Sequence, residues 1–121
     1  MATQRRLTLL TFGFKYGAPP ANYYFDVSFL KNPAREQGWS LFDQPDDGMR
    51  QFVLGQPLAQ GFLDTVIPLI AVLLEADADV RIGIGCSSGR HRSNIVAEEI
   101  ERHFLDLGVD VRMVRREETY A

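Results

Sequence analysis

Apolar residues along the chain fall into short blocks of two periodicities. Leu7-Thr-Leu-Leu-Thr-Phe12 is β-favouring and closed by Gly13, which predicts a first strand. Tyr23-Tyr-Phe-Asp-Val-Ser-Phe29 is rich in aromatic residues and predicts a second. Between them, Phe12 to Gly17 and Pro19-Pro20 read as a loop. From Lys31 to about Gln56 the pattern breaks down, interrupted by Asn32-Pro33, Gly38, Gln44-Pro-Asp-Asp-Gly48 and Gly55. Asp46-Asp47-Gly48 reads as a turn, and so long an irregular stretch in a small domain is the kind that carries function. Pro57 suits the first position of a helix running from Leu58 to Glu75. Pro68 predicts a kink or division of that helix, and its nearly continuous apolar residues predict that much of it is buried.

The second half has clearer punctuation. Asp79-Val-Arg-Ile-Gly-Ile-Gly85 predicts a short buried strand, followed by the polar turn Cys86-Ser-Ser-Gly-Arg-His-Arg92. Ser93 then opens a helix to about Leu107, with Val96, Ile100, Phe104 and Leu107 as its apolar stripe. Glu98, Glu99, Glu101 and Arg102 form the solvated side, and His103 reads as structural or exposed. Gly108 stops the helix, and Val109 to Val114 predicts a last strand. Strand, loop, helix and strand at this spacing make a βαβ unit. The expectation is a single small α/β domain over residues 1–121, with a mixed or partly parallel sheet and a strand-loop-helix anion cradle.

Composition narrows the function classes. The chain has 121 residues, 45% of them hydrophobic and 24% charged, which excludes a disordered or fibrous protein. Its net charge of −3 argues against a surface dominated by nucleic acid or anionic membrane. That charge is an average over unequal segments. Residues 81–92 hold Arg81, Arg90 and Arg92 with no acid, whereas residues 40–80 hold seven acids against Arg50. One cysteine cannot form an internal disulfide, so a reducing, cytoplasmic setting is expected. The start, Met-Ala-Thr-Gln-Arg-Arg, leads into a block too short and interrupted for a secretory signal. The longest apolar run, Val66 to Leu74, is about half a membrane span, so no membrane partner is expected.

Candidate chemistry gathers in Cys86-Ser87-Ser88-Gly89-Arg90-His91-Arg92-Ser93. A strand feeding a tight loop and then a helix points successive backbone N–H groups, and the positive helix end, at one place. Gly89 lets the backbone approach closely. Arg92 offers a fork to phosphate oxygens, Ser87, Ser88 and Ser93 offer hydroxyls, and His91 offers a further donor. A Walker A loop is excluded, because no Gly in the chain precedes a Lys. The dinucleotide fingerprint also fails, since Ser88 stands where the third Gly belongs after Gly83 and Gly85. Cys86, Arg92 and Ser93 match Cys-x5-Arg-Ser, the spacing of the tyrosine phosphatase loop. There the thiolate attacks phosphorus, and the Arg binds the phosphoryl oxygens. Gly85 replaces the His that usually precedes that Cys. No general acid stands out among Asp43, Asp46, Asp47 and Asp64. The loop is therefore read as a non-catalytic phosphate cradle, with a Cys86-dependent phosphatase as the alternative. No metal site or cofactor is expected, since a lone acidic pair such as Asp46-Asp47 does not make one. Phe12, Phe14, Tyr16, Tyr23, Tyr24 and Phe25 are expected in the core or an interface.

Three blocks carry a family resemblance: Phe12-Gly-Phe-Lys-Tyr-Gly17, Phe25-Asp-Val-Ser-Phe-Leu-Lys-Asn-Pro33 and Ile84-Gly-Cys-Ser-Ser-Gly-Arg-His-Arg-Ser93. Together they resemble the C-terminal domain of the RapZ family of RNase adapter proteins, over almost the whole chain. The resemblance implies an α/β unit similar to a phosphofructokinase subdomain that binds regulatory RNA and glucosamine-6-phosphate and assembles into oligomers. It implies that Cys86, Ser87, Ser88, Gly89, His91 and Arg92 line a phosphosugar pocket. Lys15 and Asp26 would contribute from nearby, Asp26 toward a sugar hydroxyl or amine. The implied partners are a small phosphorylated metabolite, an RNA or a protein, and a second copy of the chain. The family's P-loop nucleotide-binding domain is not in this sequence. Ala34 follows Asn32-Pro33 where family members often carry an aromatic residue or His. The family's basic tail corresponds to Arg112, Arg115 and Arg116, the RNA-binding candidates, which are here answered by Asp110, Glu117 and Glu118.

Overall fold

The computed structural model describes residues 4–36 and 38–117, so Met1 to Thr3 of the signal reading and Glu118 of the tail lie outside the described residues. Strands β1 (Arg6–Gly13), β2 (Tyr23–Asp26), β3 (Asp79–Cys86) and β4 (Asp110–Arg115) form one sheet in the order β2-β3-β1-β4. All three pairings are parallel, so the expected mixed or partly parallel sheet proves wholly parallel. Helices α1 (Pro33–Glu36), α2 (Asp47–Leu54) and α3 (Pro57–Ala76) connect β2 to β3, and α4 (Arg92–Asp106) connects β3 to β4.

Strand alternation separates the two faces of the sheet. Leu7 and Leu9 of β1 pair with Val80 and Ile82 of β3, and all four enter the core. They pack there with Met49 and Val53 of α2, Leu63, Val66 and Ile70 of α3, and Ile95, Ile100 and Phe104 of α4. On the opposite face β3 presents Gly83 and Gly85, where a Cβ would strike the rings of Tyr24, Phe12 and Phe14. Residues 14–22 return the chain from β1 to β2 over this glycine face. Right-handed parallel crossovers require this. The β1–β2 connection runs the other way along the sheet from the two helical ones, so it lies on the other face.

Adjacent β1 and β3 therefore send their chains to opposite faces, and the register from Arg6↔Asp79 to Gly13↔Cys86 ends both strands side by side. Such a switch point at the carboxyl ends is where open α/β sheets bind ligands.

Local expectations change at several points. The second strand ends at Asp26 rather than Phe29, because Asp26 Oδ1 accepts the Ser28 N–H at 2.9 Å and turns the chain. Asp46-Asp47-Gly48 starts a helix rather than a turn. Asp46 Oδ1 caps it by accepting the Met49 N–H at 2.8 Å, and Asp47 sits in the positive first turn. Helix α3 runs through Pro68 undivided. Proline leaves the carbonyl four residues earlier without a donor, and Asp64 at that position is exposed to water. Only one stripe of α3, comprising Ala59, Leu63, Val66, Ile70 and Leu74, is buried, while Leu58, Leu69 and Val72 face outward. In α4, Val96, Ile100 and Phe104 are buried as expected, but Leu107, at the helix stop, is exposed.

Candidate functional site

Five residues, 87–91, join the end of β3 to the start of α4. Gly89 has φ +74°, and a Cβ there would lie 2.3 Å from both Phe12 C and Gly13 N. Glycine is thus demanded by a backbone-to-backbone approach to β1 as well as by the left-handed conformation. Asn94 fixes the loop from below: its Nδ2 donates to the carbonyls of Arg90 at 2.8 Å and Gly89 at 3.2 Å, while its Oδ1 accepts from Thr11 Oγ1. Cys86 Sγ donates to Ser93 Oγ at 3.4 Å, and both residues are buried.

An open cleft of 540 Å³ lies over this loop. Ser87, Ser88 and Arg92 line it from the strand-loop-helix unit, Lys15 from the turn after β1, and Ser28, Asn32 and Arg35 from the chain after β2. Arg92 is 6% exposed and organises both sides. Its Nη1 donates to the carbonyls of Ser28 and Leu30, each at 2.9 Å, and its Nη2 reaches Ser87 Oγ at 3.4 Å. Among the described residues no carboxylate lines the cleft, and none lies within ion-pair distance of Lys15, Arg35 or Arg92. Three cations facing one cleft at the start of α4, with no acid of the described residues in ion-pair range, make an arrangement suited to an anion.

The sequence-derived candidates occupy different places. Lys15, Ser87, Ser88 and Arg92 meet at the cleft. Cys86, Arg90 and His91 line only a narrow recess of about 10 Å³ that shares Asn32, Ser88 and Arg92 with it. Gly89 and Ser93 shape the loop from beneath. His91 Nε2 lies 2.8 Å from the Asp43 carbonyl, which can only accept, so Nε2 carries the proton and Nδ1 is the bare nitrogen in the neutral ring. Burial holds the His91 pKa below its ordinary value, with Arg90 and Arg92 adding to this and the bond to Asp43 opposing it. Arg90 lies 4.7 Å over the Phe42 ring and donates toward Tyr16, holding that phenol below its usual pKa. Asp26 does not line the cleft; its carboxylate caps its own turn at Ser28.

Of the RNA candidates, Arg115 lies 4.0 Å from Glu98 on the helical side, whereas Arg112 and Arg116 lie on the other face, Arg116 over the Phe12 ring with its Nε paired to Glu117 at 3.0 Å.

Sequence reasoning did not single out Arg35, Ser28 or Asn94. Asn32 stood within the second motif block but had been given no role. Arg35 carries no local signal at all, because only the fold of the β2–α1 segment turns it toward a loop more than 50 residues away.

The family model described as the RapZ C-terminal domain matches residues 5–119. A nucleotide-binding protein of Corynebacterium jeikeium is 37% identical over 118 residues, covering 93% of this chain and 40% of the relative. One from Geobacillus kaustophilus is 39% identical over 106 residues, covering 83% of this chain and 36% of the relative. A third, from Acidothermus cellulolyticus, is 33% identical over 123 residues, covering 93% and 40%. The chain thus spans about two-fifths of the length of these relatives. With nearly its whole length matched and the motif loop set at the switch point of a parallel sheet, the chain belongs to the RapZ C-terminal domain family.

Proposed function

We propose that this domain is a binding module for a small phosphorylated metabolite and regulates through occupancy rather than chemistry. The observation that carries the reading is the cleft at the start of α4, lined by Lys15, Arg35 and Arg92 with no carboxylate among the described residues. In the bound state the phosphoryl group would sit against Ser87 and Ser88, with Arg92 Nη2 and the loop amides as donors. The amino-sugar phosphate implied by the family is one ligand of this class. The relatives' names speak of nucleotide binding by proteins more than twice as long, and this chain contains no Gly-Lys pair for a Walker A loop.

A thermal-shift titration with inorganic phosphate and glucose 6-phosphate, against sodium chloride at equal ionic strength, tests the reading. Stabilisation growing with ligand concentration is expected. Absence of any shift at millimolar phosphate ester would refute it. The outward Leu58, Leu69 and Val72 on α3 support the further expectation of a protein partner or a second copy of the chain.

A further inference from the structure

Regulation through occupancy needs an element whose position depends on the ligand. The segment between α1 and α2 has that character. Residues 39–45 form neither helix nor strand, and the chain there closes on itself. Asp43 Oδ2 accepts the Ser40 N–H at 2.8 Å, the Ser40 carbonyl accepts the Asp43 N–H at 3.0 Å, and Ser40 Oγ accepts the Phe42 N–H at 3.3 Å. The two ends are tied to α2: Trp39 packs on Phe52 with ring centroids 6.0 Å apart, and Asp46 caps the helix.

Between those ends the segment is fastened to the anion loop. The Asp43 carbonyl accepts from His91 Nε2 at 2.8 Å, and the Arg90 guanidinium lies 4.7 Å over the Phe42 ring. Arg90 and His91 stand between Ser88 and Arg92, so the loop that offers donors to a phosphate also holds the segment down. Leu41, next to both fastenings, lines the 540 Å³ cleft and the recess beside it. Phe42 is 44% exposed, so its ring rests on Arg90 rather than in the core. One hydrogen bond and one partly exposed cation–π contact are each modest, which leaves the segment's position within reach of a ligand's influence. A ligand body extending from Ser87 and Ser88 meets Leu41 only while the segment is down, and so binds that state in preference.

Resting on the phosphate reading of the loop, we propose that residues 39–45 are a strap over the cleft, clasped by Arg90 and His91, which a bound phosphate ester holds shut. The exposed Phe42 moves with the strap, so the state of the site is displayed at the surface.

Limited proteolysis of the full chain with chymotrypsin tests this, because cutting after Leu41 and Phe42 follows the open population of the strap. Cutting after Leu107, exposed at the other end of α4, is the reference. Glucose 6-phosphate at about ten times its calorimetric dissociation constant, against sodium chloride at equal ionic strength, should slow strap cutting about tenfold and leave the reference unchanged. Arg90→Gln leaves the strap sequence intact but removes the cation, and should speed strap cutting about threefold relative to the reference. Phe42→Leu, at an exposed position, should do the same once its rates are scaled to those of the denatured variant. Equal slowing at both sites, or no slowing with ligand bound, overturns the strap but leaves the phosphate site standing. So does strap cutting that neither variant speeds. Failure of both glucose 6-phosphate and inorganic phosphate to bind overturns both readings.

Discussion

A Cβ on Gly89 would lie 2.3 Å from the amide nitrogen of Gly13, so the anion loop and the end of β1 meet backbone against backbone. The relation is reciprocal, for a Cβ on Gly13 would lie 2.5 Å from the carbonyl carbon of Ser88. This contact holds the loop over the switch point and places Lys15, which follows Gly13 by two residues, on the rim of the cleft.

Gly89→Ala is accordingly expected to cost about 3 kcal/mol or more, from left-handed strain and displaced backbone together. Gly108→Ala is the control. Gly108 also has positive φ (+80°), but a Cβ there meets nothing within 4 Å, so about 1 kcal/mol is expected. Urea unfolding of the two variants measures the difference, and equal losses would disprove the close-approach argument.

Arg92 joins fold and site, so its substitutions should separate the two. Arg92→Ala deprives the Ser28 and Leu30 carbonyls of their shared donor, a loss of about 3 kcal/mol in stability. Arg92→Lys keeps a charge but not the fork, and phosphate affinity should fall about tenfold even where the fold survives. Denaturation and phosphate titration on both variants read these effects independently.

His91 gives the fold a pH dependence of defined sign. Burial lowers its pKa in the folded protein below the ordinary 6.5, so on acidification the unfolded chain takes up the proton first. The stability contributed by the neutral ring is present above that ordinary value and is lost as the pH falls through the folded-state pKa. Wild type should therefore lose more stability than His91→Gln between pH 7.5 and 5. If the two lose equal amounts, His91 is not the titrating group.

Cys86 tests whether the phosphatase-like spacing has chemical meaning here. Its Sγ donates to Ser93 inside the core and does not line the 540 Å³ cleft. Cys86→Ala should cost about 1 kcal/mol and leave phosphate affinity unchanged. An aryl-phosphate hydrolysis that disappears in this variant would instead establish a thiolate mechanism.

Much of the architecture was legible because its signals are local. Gly108 and Pro57 mark element ends through backbone stereochemistry, and the stripe of Val96, Ile100 and Phe104 identifies the inward face of α4. Helix α2 was less legible because Asp46-Asp47-Gly48 suits both a turn and a helix cap. Packing of Met49 and Val53 into the core decides between them. Of the two outcomes Pro68 allowed, division does not occur: α3 continues to Ala76, and Asp64, whose carbonyl loses its donor, is exposed.

The sequence by itself determined that a loop bearing glycine, serines and arginines lies between a strand and a helix, because that unit is contiguous and is read within ten residues. Only the tertiary structure decided what faces the loop. Parallel pairing sets the carboxyl ends of β1, β2 and β3 together, and so brings Lys15 and Arg35 to Arg92 while Asp26 is spent on its own turn. Residues so distant in sequence carry no shared pattern, and their meeting follows from sheet order and crossover hand, which are properties of the whole chain.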